Sequence, residues 1–548
     1  MKTEVKLNIV LVLSMTALMS LPFLVKGCGW MSLIGLVPLL LMERLAARRG
    51  AKHFFWWHYL AFLLWNGVTV WWIAGATVGG AVFAIIANAL QMALIFEAFR
   101  IVKRRTGGVL PYIFLVAAWI AWERYYLTIG QIAFPWLILG NSFLDTTELV
   151  QWYEYTGALG GSLWVWCVNL AVFGLGVSIA EGRFPRLRPQ AKAAAISAAL
   201  IVLAGPMVCS AIIGSRYEET DDPVTVVIPQ PNFDPYHKFE SLTQSQQTDS
   251  LVDIIMPHLA QLKDEPVLVL TPETFTNDVI TNRIMDSRTV SRLVDSLKAY
   301  PNVNLVLGAS AHDEILQLES PHILAYRHGF RTVDGVTFPV WYQSRNSALM
   351  LDSAGCTGIY HKSMLVLGTE LTPYPKVFVP LENLLGGNLM GKCIGQEEPS
   401  NLHFSASGRE FDLAPVICYE SIYGEYGAKY VRKGAKMIAV ITNDAWWGDT
   451  PGYRQHVNLA RLMAIQTRRD IARCANTGVS AFINQKGEIT RRTPYWKRDS
   501  LRGTVNLSGR ETFFVRYGDI TGRVSVFVFI LCLLAAIVRP SPRLRFRR

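Results

Sequence analysis

Apolar residues follow two different rhythms along this chain. Up to residue 213 they form long runs broken by short basic stretches. About 20 mostly apolar residues suffice to cross a bilayer as a helix. Runs of this kind lie at 6–25, 28–43, 55–77, 79–99, 109–127, 160–180 and 192–213, with an eighth at 522–539. The second is short and contains Pro38, so alone it also fits a re-entrant segment. No small-residue cleavage site follows the first run, and another apolar run comes almost at once, which argues against a cleaved signal peptide.

Between 214 and 516 the rhythm changes. Short β-rich runs recur at 225–230, 266–271, 303–309, 347–352, 413–420, 437–443 and 479–485. Several are apolar at consecutive positions, as strands buried on both faces are. Helix-like stretches at 241–263, 284–299 and 454–473 lie between them. SALMLDSAGCTGIYHK reads as a hairpin turning at Asp352-Ser353-Ala354-Gly355. The pattern predicts a transmembrane bundle over 1–213, a layered α/β domain over 214–516, and an eighth transmembrane helix with a basic tail over 517–548.

Charge adds the topology. The net charge of +11 first points to nucleic acid, but the basic residues cluster in the gaps between apolar runs, and no nucleic-acid-binding motif is present. One set of alternate loops holds Lys2 and Lys6; Arg44, Arg48, Arg49 and Lys52; Arg100, Lys103, Arg104 and Arg105; Arg183, Arg186, Arg188 and Lys192; and the C-terminal arginines. The short loops of the other set hold only Lys26 and Arg124. Basic loops stay in the cytoplasm, so this asymmetry predicts eight spans, both termini inside and 214–516 outside. The loop IGQIAFPWLILGNSF (129–143) is too short to cross and is interrupted by Pro135. It reads as an interfacial or re-entrant element with Trp136 at headgroup depth, or else as an apolar loop packed on the bundle.

The eight cysteines form no C-x-x-C pair, which argues against a zinc site or a disulfide scaffold. A Cys356–Cys393 disulfide stays open. Three strand ends carry reactive side chains. PVLVLT runs into Pro272-Glu273, the hairpin's return strand delivers His361-Lys362, and LAPVI delivers Cys418-Tyr419-Glu420. A thiol is a strong nucleophile once deprotonated. A carboxylate in reach takes its proton and returns it to a leaving group, and a lysine favours the thiolate and then an oxyanion. Alone, each residue has a plainer reading: a core cysteine, a helix cap, a solvated lysine. His312, His361 and His456 read as ordinary polar residues. This chemistry needs no metal, and no cofactor is expected.

Order and surroundings sharpen the picture. LTPETF (271–276), YHKSMLVLGTE (360–370), VICYESIYGEY (416–426) and the stretch 441–478 resemble the nitrilase superfamily, whose members carry a Glu-Lys-Cys triad on an αββα sandwich. With the apolar runs, and with WERYYLTIGQIAFPWLILGNSF (122–143), RNSALMLD (345–352) and NDAWWGD (443–449), the chain resembles the apolipoprotein N-acyltransferases. That family sets a nitrilase-like domain between the seventh and eighth of eight helices in the bacterial inner membrane. The resemblance implies that Glu273 is the general base, Lys362 the essential lysine and Cys418 the nucleophile. It implies supporting places for Glu370, Tyr419, Glu420 and Asn346. It further implies a phospholipid acyl donor resembling phosphatidylethanolamine, and a diacylglyceryl apolipoprotein as acceptor.

The chain departs from the family pattern at Thr271, at Trp447, and at Phe239 in place of a tryptophan. These residues are expected to line the lipid-entry side, with Trp446 and Trp447 dipping into the interface. The Gly-rich stretch 383–395 fits a lid or a plain surface loop. A membrane-anchored amidase with water as acceptor, and a non-catalytic lipid-binding or transport protein, are the competing readings. Eight spans exceed what anchoring needs, and the spans lack a set of paired buried charges.

Overall fold

The computed structural model describes residues 2–51, 54–128, 131–234, 242–262, 265–384, 390–406 and 408–538. It divides into two compact units, Met1–Tyr217 with Tyr517–Arg548, and Glu218–Arg516.

In the first unit, 6 helices among the described residues are long and apolar enough to cross a membrane. They are Thr3–Leu24, Gly29–Arg48, Val78–Thr106, Tyr153–Ala180, Pro189–Arg216 and Ile520–Val538. Two other expected spans are helical but outside this set. Phe55–Val70 has 16 α-helical residues before a 3-10 turn. Leu110–Thr128 has 19, but its Trp, Tyr, Glu123 and Arg124 lower its mean hydropathy.

Side chains complete the backbone where helices break. Before Pro38 the second span changes from Ser32–Gly35 to Val37–Arg48. Asn169 fills the gap, accepting from Leu36 N at 2.7 Å and donating to Ser32 O at 2.8 Å. In the loop 129–143, Pro135–Leu137 and Leu139–Phe143 form 3-10 turns that are buried throughout. Glu123 accepts from Leu139 N at 2.8 Å and from Trp119 Nε1 at 3.1 Å. Tyr153 donates to Gly140 O at 2.8 Å, and Gly140 N donates to Ser162 Oγ at 3.0 Å. A Cβ on Gly140 would lie 1.8 Å from Ala158 O, so only glycine permits this approach. Irregular backbone in an apolar unit is tolerated where protein groups satisfy it in this way. Trp136 is 1% exposed and packs on Trp72 and Phe134. Its indole faces protein, as in the alternative reading of an apolar loop packed on the bundle.

The second unit holds two sheets. Strands β1 (Pro223–Gln230), β2 (Val267–Leu270), β3 (Thr276–Ile280), β4 (Val303–Leu316), β5 (Tyr326–Val333), β6 (Val336–Leu351) and β7 (Cys356–His361) belong to the first. Strands β8 (Leu402–Ala406), β9 (Arg409–Ile417), β10 (Met437–Thr442), β11 (Ile471–Ala475), β12 (Ala481–Ile483) and β13 (Ile489–Arg492) form the second, while β14 (Asp499–Asn506) returns to β1. The orders are β14-β1-β2-β4-β6-β5, with β3 on β4 and β7 on β6, and β13-β12-β11-β10-β9-β8. The sheets meet face to face, since Cys474 Sγ on β11 lies 3.3 Å from Pro229 O and Asn304 Nδ2 on β4 donates to Ser405 O on β8 at 3.1 Å. Gln244–Leu259 and Arg288–Leu297 cover the first sheet through Leu251, Ile255, Leu293 and Leu297. Gly424–Arg432 and Pro451–Thr467 accompany the second. This is an αββα sandwich, the architecture expected from the resemblance.

The expected helix at 454–473 stops short. Pro451–Thr467 ends at Arg468, which has a left-handed backbone, and IARCA becomes β11. The hairpin after β6 turns as read, with Asp352 Oδ1 accepting from Ala354 N at 2.7 Å and Gly355 N at 3.0 Å.

Candidate active site

Pairs β1–β2, β2–β4, β9–β10 and β10–β11 are parallel. Parallel strands deliver their C-terminal residues to the same edge of a sheet, where sites are built. Glu273 follows β2, Cys418 follows β9, and Asn443 and Asp444 follow β10. Lys362 follows β7, and Lys362 N donates to Asn346 O of β6 at 2.7 Å.

Lys362 is 1% exposed and bridges two carboxylates. Nζ donates to Glu273 at 3.0 Å and to Glu370 at 3.0 Å. Asn346 Nδ2 spans the same pair, 2.7 Å from Glu273 Oε1 and 2.7 Å from Glu370 Oε1. Glu370 is fixed in turn by Val366 N at 2.8 Å. Among the described residues Glu273 Oε2 takes a longer bond alone, from Asn443 N at 3.2 Å, so this oxygen is the better placed to accept a proton. Burial alone would push the Lys362 ammonium down. Glu273 and Glu370 outweigh it and hold the group well above the ordinary lysine range, so it stays charged.

Gly308 on β4 makes room for Glu273. A Cβ there would lie 2.2 Å from Pro272 O and 2.8 Å from Glu273 Cα. Thr271, at a position where the family pattern differs, accepts from Gly308 N at 3.1 Å. Gly308→Ala must push the Glu273 backbone aside. A shift of this size is expected to lower kcat about 100-fold and to cost about 1–3 kcal/mol of stability. Steady-state kinetics beside thermal unfolding check this, and unchanged kcat would refute the need for that Glu273 position.

Cys418 stands at φ 51°, a left-handed backbone that non-glycine residues rarely adopt. The sharp turn lifts the thiol off the strand end, in the manner of a nucleophile elbow. Burial pushes this thiol far up, and Glu273 adds to the effect against the opposing pull of Lys362, so the resting group is a neutral thiol needing a base. Glu420 holds the turn together. It accepts from Tyr360 Oη at 2.6 Å, Ser363 N at 2.8 Å, Met364 N at 3.2 Å and Ile417 N at 2.8 Å. Burial pushes its carboxyl up to about 7 against these donors. Tyr419 packs edge-on against Tyr423, their rings 5.4 Å apart.

A second buried cluster stands behind Cys418, on residues read from sequence as ordinary or passed over. His456 Nδ1 donates to Asp444 Oδ1 at 2.9 Å, and its Nε2 lies 3.1 Å from both Cys418 O and Ser421 Oγ. Arg473 donates to Asp444 Oδ2 at 2.6 Å, and Ser421 Oγ to Cys418 O at 2.8 Å. The cluster grips the carbonyl of the strained cysteine. The one sequence signal was Asp444 within NDAWWGD, with His456 twelve residues on. Burial opposes ionisation of Asp444, but Arg473 and His456 hold its carboxyl well below the usual range.

Because the folded-state value is depressed, the stability Asp444 contributes is complete above about pH 4 and is lost as pH falls below that. Asp444→Asn leaves the Arg473 charge buried without its carboxylate, at an expected loss of about 3–5 kcal/mol. Its acid limb should flatten relative to the parent, and denaturant unfolding at several pH values checks both. An unchanged acid limb would refute the assignment.

Trp446 is exposed, while Trp447 is half-buried with its ring 5.4 Å from His456. Phe239 lies outside the described residues, as do 385–389 of the expected lid. The rest of that stretch is tied down: Cys393 N donates to Glu370 O at 2.9 Å and Ile394 N to Ser344 O at 2.9 Å. A Cβ on Gly391 would lie 2.1 Å from Thr369 O. Residues 390–395 are thus part of the wall beside Glu370, not a free flap. Cys356 and Cys393 are both free thiols. Among the described residues no group of His, Cys, Asp and Glu is arranged to hold a metal.

Residues 15–171 match the apolipoprotein N-acyltransferase N-terminal domain, and residues 333–513 match the carbon-nitrogen hydrolase family. An apolipoprotein N-acyltransferase of Chlorobaculum tepidum is 29% identical over 519 residues, covering 92% of this chain and 91% of that protein. One from Pasteurella multocida is 24% identical over 541 residues, covering 96% and 93%. The solved structure of Saccharomyces cerevisiae Nit3, a nitrilase-superfamily member, covers 56% of this chain and 96% of its own at 14% identity and a TM-score of 0.35. With both domains in one chain, and relatives of a single name aligned along more than nine-tenths of it, the chain is similar to the apolipoprotein N-acyltransferases over almost its whole length.

Proposed function

We propose that this enzyme moves a fatty acyl chain from a membrane phospholipid onto the α-amine of a diacylglyceryl-cysteine at the start of an apolipoprotein. The observation that carries the reading is the Lys362 ammonium locked between Glu273 and Glu370 beside a cysteine held at φ 51°. Glu273 Oε2 takes the thiol proton of Cys418. The thiolate attacks the ester carbonyl, and Lys362 stabilises the oxyanion. The ester C–O bond breaks, Glu273 returns the proton to the leaving oxygen, and lysophospholipid departs from a Cys418 thioester. The acceptor amine then attacks the thioester carbonyl and gives up a proton to Glu273. The C–S bond breaks, an amide forms and the thiol is restored.

Both substrates are anchored by long chains, each buried CH₂ contributing about 0.8 kcal/mol to staying in lipid. A membrane-embedded enzyme meets them where they are. The orientation that fits the loop charges has eight spans in a bacterial inner membrane, both termini in the cytoplasm and the Glu218–Arg516 unit in the periplasm. Phosphatidylethanolamine-like lipid is the proposed donor. Trp446, Trp447 and Phe239 are proposed to meet lipid chains.

Incubation with phospholipid carrying labelled acyl chains and a diacylglyceryl-cysteine peptide tests the proposal. The label should appear as an amide on the peptide. Free labelled fatty acid with an unmodified peptide would make the protein a lipid hydrolase instead.

A further inference from the structure

The first unit contains a cavity of about 860 Å³ that the proposed reaction does not use. Its walls come from Leu110–Thr128, Tyr153–Ala180 and Ile520–Val538, with Arg44 and Arg183 at one end. Ile113, Leu163 and Val524 line it and are 45%, 39% and 53% exposed, so it is a groove open on the flank of the helices. Along Tyr153–Ala180 it runs from Leu163 to Val177, a rise of about 21 Å. One leaflet's share of the hydrocarbon core is about 15 Å. The groove is therefore long enough for an extended acyl chain, and its lining is almost wholly apolar.

The end at Arg44 and Arg183 differs sharply. Arg44, Arg48 and Arg183 converge on the single carboxylate of Glu181, with Arg183 at 2.8 Å. Three guanidinium groups face one acid, leaving two positive charges in excess. Apolar length ending in surplus guanidinium charge is complementary to a lipid with an anionic headgroup, and guanidinium pairs with phosphate in two-point geometry. A zwitterionic lipid brings its own ammonium into that cluster and is disfavoured.

We propose that this groove holds one anionic phospholipid of the cytoplasmic leaflet, its phosphate on Arg44 and Arg183 and one chain along the groove. The leaflet follows from the orientation proposed above. This lipid is distinct from the acyl donor.

Native mass spectrometry of the full chain tests the site. All samples carry Cys418→Ala, so acyl transfer is blocked throughout and its truth or failure does not enter the result. The protein is equilibrated with equal amounts of phosphatidylglycerol and phosphatidylethanolamine of identical chains. The most firmly retained lipid should be phosphatidylglycerol, by about tenfold over phosphatidylethanolamine. Gly174 lines the groove, and a Cβ there meets nothing within 4 Å. Gly174→Leu therefore starts into open space, places its side chain in the groove and should remove that retention. Arg44→Gln with Arg183→Gln should abolish the preference, and Glu181→Gln should strengthen it. Equal retention of both lipids by the parent protein overturns the proposal. So does undiminished phosphatidylglycerol retention in Gly174→Leu, which decides the matter even if the arginine variants fail to insert.

Discussion

Cys418→Ala is expected to lower acyl transfer by about 10⁴-fold or more, the scale on which removal of a covalent nucleophile acts. The protein should fold and insert as before. Alanine keeps the Cβ, so the backbone at φ 51° is no more strained than with cysteine. The Glu420 bonds and the His456 contact with the Cys418 carbonyl involve no thiol atom. The change in stability should stay within about 1 kcal/mol. Cys393 supplies the control. It too lies within reach of Glu370 and Lys362, but burial first and Glu370 next push its thiol up to about 12. Its backbone is pinned to Glu370 and it follows no strand end of the parallel pairs. Cys393→Ala should therefore retain activity. Transfer assays on the two variants, with unfolding curves, check the pair. Activity surviving in Cys418→Ala and lost in Cys393→Ala would move the nucleophile.

Lys362→Met has the second large effect, on stability as well as rate. The ammonium is bonded to both Glu273 and Glu370, and all three groups are largely out of solvent. Without it, two carboxylates face each other across the Asn346 amide. Breaking a buried ion pair on one side costs about 3–5 kcal/mol. Like charges at this distance force one carboxyl to keep a proton at neutral pH. If Glu273 is the one protonated, the base is lost with the oxyanion clamp, so transfer should fall by about 10³-fold or more. Lys362→Arg restores charge but not shape, because the longer planar group does not fit between carboxylates 3.0 Å from Nζ. It should recover stability more than activity. Chemical denaturation beside kinetics separates the two effects, and near-parent activity in Lys362→Met would contradict the assigned role.

Much of this arrangement was visible in the chain, for a physical reason. Parallel strands buried on both faces read as unbroken apolar runs, so β2, β9 and β10 stood out, and with them the residues at their ends. Glu370, the second carboxylate, was given only by the family resemblance. What stayed hidden depends on contacts between distant segments. IARCA is as apolar as the helix before it, and only the turn at Arg468 makes it a strand. Exposed β5 and β13 and the short β3 and β8 carry no such runs. Asp444, His456 and Arg473 look like scattered polar residues until the fold stacks them behind Cys418. Trp136 carried an aromatic signal that fits an interface, but its surroundings of Trp72 and Phe134 bury it. Gly308 and Gly140 show their purpose only through the backbone that comes against them.

The most direct test of the central claim is the intact mass of the purified enzyme after one exposure to phospholipid with isotope-labelled acyl chains, followed by a diacylglyceryl-cysteine peptide. One labelled acyl mass should appear on the protein, be absent in Cys418→Ala, and pass to the peptide amine when the peptide is added. A folded enzyme with reduced Cys418 that gains no acyl mass from any phospholipid would contradict the account.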